Sequence, residues 1–164
     1  MHIIGIDPHP DSHTAAVLDR QGKLISRGTF RNDVQGLEAF MQWLASFEQG
    51  QNQYQGKDDQ AEATHRNSTI GVEGAGNPYI RDWVMRLLGE GYTVVNVPPA
   101  LTSQYRRRKG QRKNDPIDAE QVAWVVRNNP ELPRYQTRAL QELKDLTRTH
   151  QRLSVDLKSH RMAQ

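Results

Sequence analysis

The chain has no cysteine, which excludes disulfides, thiolate metal sites and a cysteine nucleophile. It has no apolar run near the roughly 18 residues that a membrane-spanning helix needs. Its N-terminus enters the strand-like run Ile3-Ile4-Gly5-Ile6 at once, without the basic and apolar regions of a secretory signal. A cytoplasmic protein with no membrane partner is therefore expected. Aromatic residues are scarce at 7%, and apolar residues make up only 35% of the 164 positions. That is enough for one modest core, while a mean hydropathy of −0.83 points to a large wet or polyanion-facing surface.

What the chain does have is charge, unevenly placed. The stretch from Tyr105 to Lys113 reads YRRRKGQRK and contains six basic residues (Arg106, Arg107, Arg108, Lys109, Arg112 and Lys113) and no acid. Without those six charges the formal net charge of +3 would become −3. Read as a short loop, this segment decides the electrostatic character of the chain and makes polyanions the expected partners.

The hydrophobic pattern predicts an α/β domain over residues 1–130. Residues 2–7, 13–19 and 24–30 read as three strands of an antiparallel meander, with Ala15, Val17 and Asp19 alternating against Ala16 and Leu18 in the second. Asn32-Asp33 caps a helix whose apolar positions Val34, Leu37, Met41 and Leu44 step by three and four. Residues 48–67 are polar and glutamine-rich without periodicity, and read as a mobile insertion. A strand over 69–73 and a helix opened by Pro78 follow; that helix carries Ile80, Trp83, Val84 and Leu87 and ends at Gly89 and Gly91. Residues 92–97 form a further strand, stopped by Pro98-Pro99. A helix starting at Asp115-Pro116 presents Ala119, Val122, Ala123 and Val126 and breaks at Asn128-Asn129-Pro130. From about Thr137, within a segment 131–164, Ala139, Leu143, Leu146, Leu153 and Leu157 fit the heptad seam of a coiled-coil-like helix. Three antiparallel strands, a helix, then strand–helix–strand–helix is the order of an RNase H-like fold, a mixed sheet with helices on both faces.

Four acids stand where strands end or helices begin: Asp7, Glu73, Asp115 and Asp118. Asp7 and Glu73 each close a short apolar strand, so neighbouring strands would bring the two carboxylates to one edge of a sheet. Asp alone after a strand is an ordinary turn-former. Glu is less usual in a strand, and here it precedes Gly74-Ala75-Gly76, a turn that lets backbone or ligand approach closely. Asn114-Asp115-Pro116-Ile117-Asp118 makes a good helix start by itself. Counting back four from Val122 and Ala119 lands on Asp118 and Asp115, however, so both extend the apolar face toward the sheet. A cluster of hard oxygen ligands is what magnesium needs to act on phosphodiesters. The basic run beside it would contact phosphates without reading sequence. His9 and His13 flank Asp7 and are possible additions to the site.

The segments GIDPHPDSHTAAVLD, GVEGAGNPY, VVNVPP and KNDPIDAE together resemble the N-terminal domain of the DEDD insertion-sequence transposases, relatives of the pilin-gene invertases. The resemblance covers nearly the whole chain apart from the polar insertion. It implies a RuvC-like domain in which Asp7, Glu73, Asp115 and Asp118 are the carboxylates that hold Mg²⁺, with Mn²⁺ as a substitute. It also implies DNA as substrate, a structured guide RNA from the element, and homo-oligomers paired through the C-terminal helix. In the family a C-terminal domain bearing a catalytic serine follows, and this sequence does not include it. The chain has Pro10 where many relatives have lysine, and Asn114 where a small or basic residue is usual.

Three other readings share part of this pattern. A stand-alone structure-selective nuclease, such as a Holliday-junction resolvase, would cut branched DNA without a second domain. A non-catalytic nucleic-acid-binding and dimerisation module would use the carboxylates mainly as caps. A sugar-kinase-like ATPase shares the first hairpin topology, but the Gly-Thr-rich phosphate loop it needs after Asp7 is missing.

Overall fold

The computed structural model describes residues 1–48, 66–109, 115–136 and 149–150. Most of the glutamine-rich insertion, Arg112, Lys113 and the heptad seam lie outside these residues. Lys109 and Asp115 are placed as helix positions whose side chains also fall outside.

A five-stranded mixed sheet has the order β3-β2-β1-β4-β5. β1 (Ile3–Pro8), β2 (Ser12–Leu18) and β3 (Leu24–Arg31) form the antiparallel meander. β4 (Thr69–Glu73) then lies parallel to β1, and β5 (Thr93–Val97) parallel to β4. Helix α1 (Val34–Ser46) joins β3 to the segment before β4. A 3₁₀ turn at Pro78–Ile80 leads into α2 (Arg81–Gly89). α3 (Pro99–Lys109) and α4 (Asp115–Asn128) follow β5. This is the RNase H-like order expected from the sequence, and among the described residues no helix is long and apolar enough to cross a membrane.

The period of two sorts side chains onto the two faces. Ile4, Ile6, Ile70 and Val72 join Phe40, Trp83, Val84 and Leu87 of α1 and α2 in one core layer. Ile3, Leu18, Val95 and Val97 join Val122, Ala123 and Val126 of α4 in the other. Because both faces are covered, β2 is buried at nearly every position instead of alternating between core and solvent. Asp19 stands beyond its end as a turn-former, accepting the backbone N–H groups of Gln21 at 2.9 Å and Lys23 at 2.8 Å.

Two further expectations are corrected. Val34 is 78% exposed, and the buried face of α1 runs through Gly36, Phe40 and Leu44. The Asp33 carboxylate caps Gly36 N–H at 2.7 Å, and a Cβ on Gly36 would lie 1.8 Å from the Arg31 carbonyl oxygen, so this face must turn inward. The basic run, expected as a loop, continues a helix as far as Lys109. Pro99 fits the first helical position, and Ala, Leu, Gln, Arg and Lys are all good helix formers.

Two glycines let α4 lie flat on the sheet. A Cβ on Gly5 would come within 2.2 Å of the Ala119 carbonyl oxygen, and one on Gly71 within 2.2 Å of a Val126 methyl. Glycine inside a strand is a signature of such close approach.

Two smaller arrangements complete the body. Residues 132–135 run along the free edge of β5, with Asn96 N–H donating to Pro133 O at 3.0 Å and Tyr135 N–H to Val94 O at 2.7 Å. At the flanks of the insertion, Arg66 pairs with Glu48 at 2.5 Å, the Tyr92 hydroxyl donates to the same carboxylate at 3.0 Å, and Arg66 lies 4.9 Å over the Tyr92 ring.

Candidate active site

The face on which Gly5 and Gly71 accept α4 is also the face of Asp7 and Glu73, two residues further along their strands. The parallel register pairs Ile6 with Val72, so these acids leave adjacent strands side by side at the C-terminal edge of β1 and β4. α4 begins above that edge and presents Asp118 there, one turn before Val122. Asp7 and Asp118 are buried, at 4% and 5% exposure, and Glu73 is half-buried. Position 115 opens α4, and its side chain is outside the described residues.

The three carboxylates feel one another. Burial pushes the Asp7 carboxyl up to about 7; the neighbouring His9 opposes this, while Glu73, by charge and by a shared hydrogen bond, and Asp118 add to it. His9 Nε2 stands 3.1 Å from Asp7 Oδ2. His13, its companion in the sequence, is not in the site: it is fully buried with its ring edge-on to Trp83 at 4.6 Å. Burial lowers the pKa of His13, which keeps that ring neutral.

Helix α3 closes over the same edge. Thr102 Oγ1 donates to Glu73 Oε1, and one turn later Arg106 Nη1 donates to Asp118 Oδ1 at 2.8 Å. Arg106 Nη2 also donates to Ser103 Oγ at 3.2 Å. Arg106 therefore turns inward, whereas Arg107 and Arg108 are exposed. α3 is held on α4 by Tyr105, whose ring stacks on Trp124 at 6.4 Å and 19°. Sequence reasoning missed Thr102 and the inward role of Arg106. Their four-residue spacing is the signal that emerges once the segment is helical.

The donor set, clustered carboxylates of which Asp7 is raised first by burial and further by Glu73 and Asp118, suits a hard divalent cation, which would favour the ionised form. Among the described residues no group of three or more His, Asp and Glu side chains is already arranged to hold a metal ion. The carboxylates are engaged instead with His9, Thr102 and Arg106.

The chain is similar to the Thermus thermophilus RuvC structure, with a TM-score of 0.50 and 13% identity over 82% of this chain and 100% of the other. It is similar also to T. thermophilus RuvC in complex with Holliday junction substrate, with a TM-score of 0.48 and 13% identity over 82% of this chain and 99% of the other. At that identity the first likeness establishes the fold, which is RuvC-like. No curated protein sequence matches the chain. The sequence profile of the IS110-type DEDD transposases, described as Transposase, matches residues 4–162. A match over nearly every residue, on a RuvC-like sheet, places the chain in the IS110-type DEDD transposase family.

Proposed function

We propose that this domain supplies the carboxylate site for metal-dependent DNA strand cleavage and exchange. Asp7, Glu73, Asp115 and Asp118 would hold Mg²⁺, with Mn²⁺ able to replace it. The observation that carries this reading is the convergence of Asp7, Glu73 and Asp118 at one sheet edge, where burial first and the neighbouring carboxylates second push the Asp7 carboxyl up to about 7. Such an arrangement is costly for a fold without a cation and useful with one.

A cation held by these carboxylates would supply Lewis-acid polarisation of a scissile phosphate and charge stabilisation for the attacking or leaving oxygen. The chain's own residues do the rest. The sheet edge fixes Asp7 and Glu73 on adjacent strands, and Gly5 and Gly71 set the height of α4 and so of Asp118. His9 holds Asp7 Oδ2 from the side of the hairpin, Nε2 standing 3.1 Å away. The exposed Arg107 and Arg108, with Lys109, Arg112 and Lys113, would position a phosphate backbone without reading bases. Family membership supports DNA as the substrate, a structured guide RNA as partner, and a homo-oligomer paired through the C-terminal helix.

The test is recombination by the protein carrying its serine-bearing domain. Asp7→Asn and Asp118→Asn should each abolish strand exchange while the circular dichroism of the domain is unchanged. Unimpaired recombination by either variant would remove the residue from the site. An Mn²⁺ soak provides a second check, through an anomalous peak bridging Asp7, Glu73 and Asp118.

A further inference from the structure

α3 places two side chains, four residues apart on one face, on two different carboxylates of the site: Thr102 on Glu73 and Arg106 on Asp118. The Arg106–Asp118 pair is largely enclosed, with side-chain exposures of 19% and 7%, and Ser103 holds the other end of the guanidinium at 3.2 Å. A guanidinium so placed brings positive charge to this acidic edge at Asp118, as His9 stands beside Asp7. A divalent cation on Asp118 would need the same carboxylate oxygens, and two cations at one carboxylate in a poorly hydrated site repel strongly.

We propose that α3 is a latch on the site. Arg106 is the resident counter-cation of Asp118 and is displaced by the metal, and the released guanidinium then takes a phosphate of the nucleic-acid backbone. This rests on the reading of Asp7, Glu73 and Asp118 as metal ligands. Three features of α3 make the exchange physically simple. Arg106 is followed directly by the exposed Arg107 and Arg108, so a backbone drawn to those two arrives beside it. Planar guanidinium groups suit phosphate as well as carboxylate. Release of Arg106 does not require α3 to leave, because the Tyr105–Trp124 stack holds the helix on α4 from another face. By linkage, nucleic acid that captures Arg106 tightens metal binding, and metal tightens nucleic-acid binding by the same factor. The apo site is thereby kept from loading metal before substrate arrives.

Two measurements on the 164-residue chain test this. Mn²⁺ titrated by electron paramagnetic resonance should bind Arg106→Gln about tenfold more tightly than wild type, within the usual range of coupling between sites. In wild type, Mg²⁺ should move the Arg106 guanidinium ¹⁵N resonance toward that of a solvated arginine, a readout independent of whether the variant folds. Mn²⁺ binding to wild type with an unmoved Arg106 resonance, or equal or weaker binding by a folded Arg106→Gln, overturns the latch and leaves the metal site standing. No Mn²⁺ binding by either protein overturns the metal reading and the latch with it.

Discussion

Replacing Asp7 with asparagine should make the metal-free domain more stable at neutral pH while destroying its proposed function. The Asp7 carboxyl is raised from 3.8 to about 7, chiefly by burial. A folded-state pKa above the unfolded one means that the folded chain holds the proton more tightly. Stability from this group is therefore complete below pH 3.8 and is lost as pH rises toward 7. At ~1.4 kcal/mol per pH unit the loss at pH 8 is roughly 4 kcal/mol. Asparagine avoids that cost but forfeits the charge-assisted bond from His9, worth about 1.5 kcal/mol, so the net gain is about 2–3 kcal/mol. For a chain of this length that corresponds to a rise of about 4–12 °C in Tm. Near pH 5 less than half of that cost is avoided, so most of the advantage should disappear there. The assay is thermal unfolding in EDTA at pH 5 and pH 8, comparing Asp7→Asn with wild type. Taking the difference between variants cancels the opposing contribution of His13, whose lowered pKa removes stability as pH falls. A Tm at pH 8 no higher than wild type, or a gain independent of pH, would refute the argument.

Two further outcomes follow from the packing and the charge. Gly5→Ala would set a Cβ 2.2 Å from the Ala119 carbonyl oxygen, a backbone atom that cannot rotate away, so α4 must lift. We expect a loss of about 2–3 kcal/mol in urea unfolding together with weakened Mn²⁺ binding, because Asp118 moves with the helix; an unchanged midpoint would contradict the close approach. Arg107→Gln combined with Arg108→Gln should weaken duplex DNA binding and lower the slope of log K against log salt by about 2, measured by fluorescence anisotropy. An unaltered slope would mean that neither side chain meets a phosphate.

The strands are legible in the sequence because their apolar runs are short and bounded by turn residues, and the pairing of Asp7 with Glu73 requires only that β1 and β4 be neighbours. The helix period around Val122 likewise suffices to turn Asp118 toward the sheet. What the pattern leaves open is which face of a helix wins when two compete. In α1 Leu37, Met41 and Leu44 do pack on the core, but the centre of the buried face runs through Gly36, Phe40 and Leu44 and leaves Val34 exposed, which the close contact of Gly36 with Arg31 settles. The basic run misleads for a different reason. Its charges suggest solvent, whereas the helix propensity of the same residues continues α3 and turns Arg106 back onto Asp118. His9 and His13 look equivalent in sequence, but the hairpin directs one to a carboxylate and the other into the aromatic core.

The grip of Glu48 and Arg66 on Tyr92 has a consequence for how this domain can vary. Glu48 and Arg66 are held together by the folded body itself, and a flexible segment joining two fixed points costs only about 0.6 kcal/mol more for each doubling of its length. A fluorescent reporter or an entire module inserted between Glu48 and Arg66 should therefore leave the carboxylate edge where β1, β4 and α4 put it.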